Sequence, residues 1–242
     1  MMRTLAIGDI HSGLKALKQV LKRAGVNQDD HLIFLGDYVD GWSEAVETVN
    51  FLIELNKTHN CTFISGNHDE LCKSWLTKAK DNPLWFEHGG EATVNSYAHA
   101  DTLTKNLHID FYNNLNNYYL DSEKRLFLHA GFTNLKGVEF EYFSKTFYWD
   151  RTLWELALSL NPNLSHDHKF YPKRLTNYAE IYIGHTPVTR IGKTTPQNAA
   201  NVWNIDSGAA FKGPLSVIDV RTKEIWQSDP VYTFYPNENG RN

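Results

Sequence analysis

The stretch HLIFLGDYVDGW, residues 31–42, joins the pattern of a buried strand to two aspartates three positions apart. The strand pattern ends at Gly36, and Asp37 and Asp40 follow it directly. A carboxylate at the end of a buried strand is costly unless a cation or hydrogen-bond donors meet it. The stretch therefore predicts a β-strand that ends in a polar site with a specific task.

The same arrangement occurs in the segments on either side. The run RTLAI, residues 3–7, leads into GDIHSG and a helix with one apolar face, and CTFIS, residues 61–65, leads into GNHDE. These segments predict a β-α-β-α-β order with a polar motif after each strand. Because ligand sites of open α/β sheets lie beyond the carboxyl ends of the strands, we expect the motifs to lie close together.

The remainder of the chain predicts more helices and then more strands. Residues 69–120 have a mainly helical pattern, and strands are predicted at RLFLHAG, EIYIGH, NVWNID, LSVIDV and EIWQ, the last two as a hairpin. No repeat or linker divides the sequence. We therefore expect one α/β domain over residues 1–242, with a mainly helical insertion at about 69–120.

Composition restricts the classes of function and location. The 242 residues carry a formal charge of −4 and no basic run, which argues against a nucleic-acid partner. No segment approaches the roughly 20 apolar residues of a membrane-spanning helix, and no secretory leader is readable. Two cysteines in the whole chain are typical of a reducing compartment. A cytoplasmic location without a membrane partner is expected, and the sequence leaves the oligomeric state undetermined.

Five polar motifs carry ligands that suit a metal. They are GDIHSG, GDYVDGW, GNHDE, LHAG and GHTP, and each follows an apolar strand pattern. Imidazole and carboxylate groups suit Mn, Fe and Zn, and the absence of a thiolate argues against a structural zinc site. Two dications held about 4 Å apart need an anionic bridge, which a central carboxylate can supply. The motifs therefore predict a centre of two metal ions, with Mn²⁺ favoured and Fe or Zn as alternatives.

In this order, the five motifs resemble those of the calcineurin-like metallophosphoesterases, and within them the phosphoprotein phosphatase branch. Small bacterial and phage serine/threonine phosphatases and diadenosine tetraphosphate hydrolases are the most similar members. The resemblance runs from residue 4 to about residue 220. It implies a four-layer sandwich of two packed mixed β-sheets flanked by helices, and hydrolysis of a phosphoester by metal-activated water.

The resemblance also implies a role for each motif residue. Asp9 and His11 correspond to ligands of the first metal, Asp37 to the bridging carboxylate, and Asn67, His129 and His185 to ligands of the second metal. His68 corresponds to the general acid and Asp40 to the carboxylate that pairs with it. Arg151, in WDRTLW, corresponds to a phosphate clamp, and Asn67 and His68 are also expected to contact the substrate.

Taken singly, several of these residues have a structural alternative. Asp9 and Asp37 could form turns, and His129 and His185 could be core histidines. Asp40 could cap a helix, and Arg151 could pair with a neighbouring carboxylate. The five motifs together favour the metal centre.

Three functions remain open at the level of sequence. The leading one is a serine/threonine protein phosphatase acting on a phosphorylated protein or a small phosphoester. The second is a dinucleoside polyphosphate hydrolase of the diadenosine tetraphosphate type, which a large basic pocket would favour. The third, less favoured, is a scaffold of the same fold without catalysis, which predicts missing ligands.

The loop of residues 36–42 departs from the family pattern at its end. The phosphoprotein phosphatases usually have Arg-Gly after the second aspartate, whereas this chain has Gly41-Trp42. Glycine cannot replace the bidentate hydrogen bonds of a guanidinium. The sequence therefore predicts a metal centre with one phosphate-binding arginine absent, and Arg174 or Arg190 are possible sources of the missing charge.

Overall fold

Ten β-strands make up two five-stranded sheets in the computed structural model, which describes residues 3–78 and 82–241. The strands are β1 (Thr4–Ile7), β2 (His31–Phe34), β3 (Asn60–Phe63), β4 (Tyr118–Leu120), β5 (Arg125–Leu128), β6 (Glu180–Ile183), β7 (Gln197–Ala199), β8 (Val202–Asn204), β9 (Ser216–Asp219) and β10 (Ile225–Gln227). Eight of them coincide with predicted strands.

The first sheet has the order β10-β9-β1-β2-β3. Strands β1, β2 and β3 are parallel, and β9 pairs antiparallel with both β1 and β10. The predicted hairpin of β9 and β10 is therefore confirmed. Parallel strands that are covered on both faces are apolar throughout, and β2 is buried at all four positions.

The second sheet has the order β4-β5-β6-β8-β7. Its central strands β5, β6 and β8 are parallel, and β4 and β7 add antiparallel edges. Sequence analysis missed both edge strands. Each is three residues long, and neither is fully buried at any position, so the apolar signal of a strand is weak there.

Helices fill the connections between the strands. The α-helices are α1 (Leu14–Arg23), α2 (Ala45–Leu55), α3 (Asn67–Lys78), α4 (Pro83–Trp85), α5 (Glu91–Tyr97), α6 (Thr102–Asn113), α7 (Thr146–Trp149), α8 (Thr152–Ser159) and α9 (Lys173–Thr176). Helix α3 begins inside the GNHDE motif. Helices α3 to α6 occupy most of the described part of residues 69–120, and β4 ends that stretch.

The two sheets pack face to face through an apolar layer. Ala6 and Ile33 of the first sheet share one buried cluster with Phe127 and Tyr182 of the second. The rings of Phe127 and Tyr182 stack with their centroids 4.9 Å apart. Separate apolar clusters attach helices to the outer face of each sheet. The predicted four-layer sandwich is therefore confirmed.

The packing also determines where the polar motifs lie. Three parallel strands in each sheet end on the same side of the sandwich, so the loops after β1, β2, β3, β5 and β6 meet at one edge. Within the described residues, none of the helices is both long enough and apolar enough to cross a membrane.

Candidate metal centre

The predicted site residues meet at the edge where these strands end. Asp9 and His11 follow β1, Asp37 follows β2, and His129 and His185 follow β5 and β6. Asn67 and His68 start α3, directly after β3. All seven side chains are buried, with at most 9% of any residue exposed. Seven polar side chains that are buried together require charge compensation.

Asp37 lies at the centre of the group. Its Oδ2 is 3.5 Å from Nε2 of His11 and 3.4 Å from Nε2 of His129. Asp37 belongs to two groups of three residues whose ligand atoms lie within 4.8 Å of one another. The first group is His11, Asp37 and His68, and the second is Asp37, His129 and His185. One carboxylate shared between two clusters is the arrangement that a bridging ligand requires.

The ring of His129 is oriented for ligation through Nε2. Its Nδ1 lies 2.7 Å from the backbone oxygen of Leu35, which accepts the N–H. In the neutral ring, Nε2 then presents a lone pair, and it faces Asn67 Oδ1 and His185 Nδ1 at 3.2 Å each. A histidine that ligates a metal typically donates its other N–H to a carbonyl or carboxylate in this way.

His11 and Asp9 occupy the other side of Asp37. Nδ1 of His11 is 3.2 Å from the oxygen of Val39 and 3.1 Å from that of Asp40, which leaves Nε2 directed at Asp37. Oδ2 of Asp9 is 3.9 Å from Nε2 of His11 and accepts the backbone N–H of His185 at 3.0 Å. Asp9 therefore lies beside His11. The group of ligand atoms within 4.8 Å of one another, however, contains His68 with His11 and Asp37, and not Asp9.

The charges of the site favour a cation. Burial raises the pKa of Asp9, as does the neighbouring carboxylate of Asp206. Burial alone would raise the pKa of Asp37, but His129 and His68 hold it well below its usual value. Burial lowers the pKa of His129, and the carboxylates of Asp37 and Asp9 outweigh that and raise it to about 10. A proton on His129 thus balances negative charge that a metal ion would balance when bound.

The donor set of the site fits metal ions. Ligand atoms of Asp37, His129 and His185 converge within a buried space, and Oδ1 of Asn67 lies 2.9 Å from Nδ1 of His185. Nε2 of His185 is also buried without a hydrogen-bond partner among the described residues. Buried oxygen and imidazole ligands of this kind suit Mn, Fe or Zn.

Backbone strain is concentrated at the same edge. Eight non-glycine residues of the described chain have positive φ, and five of them belong to this site: His11, Ser12, Asp37, Asp40 and His185. Left-handed backbone is unfavourable for such residues and persists where the surrounding structure imposes it, often at functional sites. The sequence does not reveal this strain, because the positions have no glycine.

Asp40 and His68 form a buried pair next to Asp37. Oδ2 of Asp40 lies 2.5 Å from Nδ1 of His68 and also accepts the indole N–H of Trp85 at 2.6 Å. Oδ1 accepts the hydroxyl of Thr93 at 2.5 Å. Sequence analysis assigned no role to Trp85 or Thr93. Both lie in the helical stretch after α3, and only the fold brings them to Asp40.

Asp69 is a further residue to which no role was assigned from the sequence. Its carboxylate accepts the backbone N–H groups of Gly66, Asp37 and Tyr38 at 2.8, 2.8 and 2.9 Å. Burial and the neighbouring Asp37 raise its pKa to about 8. Asp69 therefore joins the loops after β2 and β3 and fixes the backbone of Asp37. Asp69 is part of the GNHDE motif, but two of its three partners, Asp37 and Tyr38, lie 32 and 31 positions away.

The three arginines considered from the sequence lie in different places. Arg151 donates to Thr186 Oγ1 at 3.0 Å and lines the cavity at the site, as does Arg190. Burial lowers the pKa of Arg151, and the charges of Arg190 and Arg241 lower it further. Arg174 instead donates to the backbone oxygens of Phe132 and Thr152 and has a structural role.

A cavity of about 500 Å³ opens directly over the site. Site residues form its floor, and the walls carry aromatic, apolar and basic side chains. The lining residues are Asp37, Asn67, His68, Leu71, Asn82, Leu84, Trp85, His88, Trp149, Arg151, His185, Arg190, Phe211 and Arg241. The cavity can admit a phosphorylated group to the metal-binding residues.

The site and fold together define a class of protein. The model of the calcineurin-like phosphoesterase family matches residues 2–210. The chain therefore belongs to the calcineurin-like phosphoesterases, a family of metal-dependent phosphoester hydrolases.

Individual relatives differ in their substrates. The asymmetrical bis(5'-nucleosyl)-tetraphosphatase of Geobacillus sp. (strain WCH70) is 24% identical over an alignment of 235 residues, and the match covers 89% of each chain. Two solved structures share the fold. The serine/threonine phosphatase of Saccharomyces cerevisiae with similarity to human phosphatase PP5 has a TM-score of 0.62 at 15% identity, over 94% of this chain and 80% of that one. A metallophosphoesterase of Sphaerobacter thermophilus has a TM-score of 0.57 at 16% identity, over 94% and 87%.

Proposed function

We propose that this protein is a metal-dependent phosphoester hydrolase with a centre of two metal ions. The observation that carries the proposal is the position of Asp37, which belongs to two buried clusters of ligand atoms beneath one cavity. The pair of His68 and Asp40 beside Asp37 supplies a proton donor. A scaffold without catalysis would be expected to lack ligands, and every predicted ligand is present in the chain.

The proposed metal ligands divide into two sets around Asp37. Asp9 and His11 would hold the first ion, and Asn67, His129 and His185 would hold the second. When bound, the two ions would lower the pKa of a coordinated water and offset the negative charge of the phosphoryl oxygens. Mn²⁺ is our first choice of metal, with Fe and Zn as alternatives.

His68 is the proposed general acid. Asp40 is fully buried and accepts hydrogen bonds from His68, Trp85 and Thr93. The Nδ1–H of His68 is therefore occupied by its hydrogen bond to Asp40. Nε2 is then the ring nitrogen that can deliver a proton to the leaving oxygen. Asp40 thereby keeps the ring oriented and stabilises its charged form.

The substrate phosphate is expected to contact side chains of the cavity. Arg151 is oriented by Thr186 and reaches the cavity from the start of α8. A guanidinium offers two parallel N–H groups to two phosphoryl oxygens. Asn67 and His68 line the same cavity and are proposed to contact the phosphate beside Arg151.

A phosphorylated serine or threonine of a protein is the first substrate class that we propose. The segment of residues 140–149, whose last residue lines the cavity, exposes several large aromatic side chains, which a bound polypeptide could cover. They are Phe140, Tyr142, Phe143 and Trp149, with 54, 88, 76 and 42% of each residue exposed. Exposed apolar patches of this kind mark sites of protein contact.

A dinucleoside polyphosphate is the second substrate class. The observation that favours it is the set of three guanidiniums at one cavity, from Arg151, Arg190 and Arg241. The absence of a basic run in the sequence is compatible with this cluster, because the three arginines are far apart in the chain. Several guanidiniums suit a chain of phosphates better than a single phosphomonoester.

One comparison tests the activity and separates the substrates. With Mn²⁺ supplied, release of inorganic phosphate from a phosphothreonine peptide would support the first class, and cleavage of diadenosine tetraphosphate would support the second. Asp37→Asn should abolish either activity. If the wild-type protein cleaves neither substrate and retains no metal after purification with Mn²⁺, the proposed function is wrong and the scaffold alternative stands. The cytoplasmic location remains a prediction.

A further inference from the structure

Gly41 lies against a side chain from the distant end of the described chain. Its φ is +110°, and a Cβ added to it would lie 3.4 Å from Cγ of Arg241. A Cβ added to Gly89 would lie 2.9 Å from the same Cγ atom, and the N–H of Gly41 donates to the oxygen of Gly89 at 3.2 Å. The two glycines therefore leave the space through which the stem of Arg241 passes.

Trp42 provides the surface on which this segment docks. Its indole is fully buried, donates to the oxygen of Ala209 at 2.8 Å and stacks on Tyr235 with ring centroids 5.2 Å apart. A Cβ added to Gly240 would lie 2.8 Å from the Trp42 ring, so the backbone before Arg241 packs closely on the indole. An aromatic buried on both sides contributes strongly to holding two segments together.

Further contacts fix the segment on both sides of Gly240. The N–H and hydroxyl of Ser43 donate to the carboxylate of Glu238 at 2.9 and 2.7 Å. The N–H of Arg241 donates to the oxygen of Ala210 at 2.9 Å. Residues 41–43, which include the departure from the family pattern at Gly41-Trp42, thus form the docking surface of residues 238–241.

The guanidinium of Arg241 is available to an anion. It lies over the ring of Phe211, with its carbon 5.4 Å from the ring centroid, and it lines the same cavity as His68 and Arg151. Among the described residues, Arg241 forms no ion pair within 4.0 Å, and its buried Nε has no hydrogen-bond partner. Its charge still counteracts the rise in pKa that burial causes at Asp206. Unpaired donors that are partly buried at a cavity are satisfied when an anion binds.

We propose that Arg241 binds the phosphoryl oxygens of the substrate, in place of the arginine that the family pattern has at position 41. The inference rests on the proposed hydrolysis of phosphoesters and adds a substrate-binding residue to it. The guanidinium comes from a segment about 200 residues away in sequence, and it enters next to Gly41. In this arrangement Gly41 leaves space for the stem of Arg241, and Trp42 packs against the segment that carries it.

The first experiment measures phosphate binding and kinetics together. The Mn²⁺-loaded wild type and Arg241→Gln are titrated with inorganic phosphate by calorimetry, and KM and kcat are measured with p-nitrophenyl phosphate. We expect the dissociation constant of phosphate and KM to rise about tenfold to hundredfold in Arg241→Gln, and Arg241→Lys to recover part of the loss. Arg23→Gln removes an exposed arginine on another surface and should change neither value.

A second variant tests the segment rather than the side chain. Gly240→Ala places a Cβ against Trp42 and the oxygen of Ala210 and should displace Arg241, with the same loss of phosphate affinity. Gly25→Ala is its control, because Gly25 also has positive φ but a Cβ there meets nothing within 4 Å. The double variant of Gly240→Ala and Arg241→Gln should bind phosphate no more weakly than the weaker of the two single variants, because both changes remove the same contact.

The outcomes separate this inference from the proposed function. Values of KM and phosphate affinity within twofold of wild type in Arg241→Gln, with unchanged metal content, would overturn the role of Arg241 and leave the hydrolase intact. A wild type that neither hydrolyses the aryl phosphate nor binds phosphate would overturn both.

Discussion

The carboxylate of Asp40 and the imidazole of His68 lie 2.5 Å apart, although Asp40 belongs to the loop after β2 and His68 to the first turn of α3. Both are buried, and the carboxylate of Asp40 also accepts from Trp85 and Thr93. A histidine that is held at Nδ1 in this way presents only Nε2 to a substrate. The pair therefore has the geometry of an oriented acid, and its members can be tested separately.

The loss of turnover on replacement of His68 should depend on the leaving group of the substrate. His68→Asn removes the proton donor, so turnover of phenyl phosphate should fall by about 10² to 10⁴, whereas p-nitrophenyl phosphate, whose leaving group needs no proton, should lose much less. Steady-state kinetics with the two substrates check this. His99→Asn changes an exposed histidine and should leave both rates unaltered. Equal losses on the two substrates would remove His68 from the acid role.

Replacement of Asp40 should act through His68. Asp40→Asn keeps the size of the side chain but removes the charge that stabilises the imidazolium, so kcat for phenyl phosphate should fall by about 10- to 100-fold. Adding Asp40→Asn to His68→Asn should cost little more, because the two residues act as a unit. Strictly multiplicative losses in the double variant would show that Asp40 acts by another route.

Replacement of Asp37 should lower metal content as well as activity. Asp37 is shared by both clusters of ligand atoms, so Asp37→Asn should reduce bound Mn²⁺ from two ions per chain to one or fewer, as measured by elemental analysis after gel filtration. His129→Ala affects one cluster and should leave one ion bound. The control Asp29→Asn alters an exposed carboxylate away from the two clusters and should leave the bound Mn²⁺ unchanged. Retention of two ions by Asp37→Asn would exclude a bridging role.

His108 should make folding stability depend on pH. It is fully buried between the hydroxyl of Tyr97 and the side chain of Asn50, and burial lowers its pKa to about 4. Below pH 6.5 the unfolded chain binds a proton at this residue before the folded chain does, so the free energy of unfolding falls as pH falls from 6.5 to 4. At about 1.4 kcal/mol per pKa unit, the loss should reach roughly 2–3 kcal/mol by pH 4.5.

Urea unfolding at pH 7.5 and pH 4.5 checks the role of His108. His108→Gln cannot take up this proton, so the difference in unfolding free energy between wild type and variant should shrink over that range. Asn50→Asp offers a carboxylate to the same ring and should lessen the pH dependence. A constant difference between wild type and His108→Gln at the two pH values would contradict the prediction.

Most of the candidate site could be predicted from the sequence because each member lies in a short local motif. Asp37 and His129 each follow an apolar run that ends in the sheet, and parallel strands place their carboxyl ends at one edge. The residues that sequence analysis missed act through partners far away in the chain. Asp69, Trp85 and Thr93 hold backbone or carboxylate groups of the loop after β2, and no local pattern distinguishes them from ordinary helix residues.

Apolar periodicity and ligand chemistry are local properties, so the α/β class, the β-α-β-α-β succession and the metal-binding residue types could be predicted from the amino-acid sequence. Which guanidiniums reach the cavity depends on contacts between distant segments and is visible only in the folded chain. The stretch of residues 31–42 ends in Gly41-Trp42, which appears in the sequence as the loss of an arginine. In the fold the same two residues receive Arg241, because a missing Cβ and a buried indole create a space that a distant segment fills.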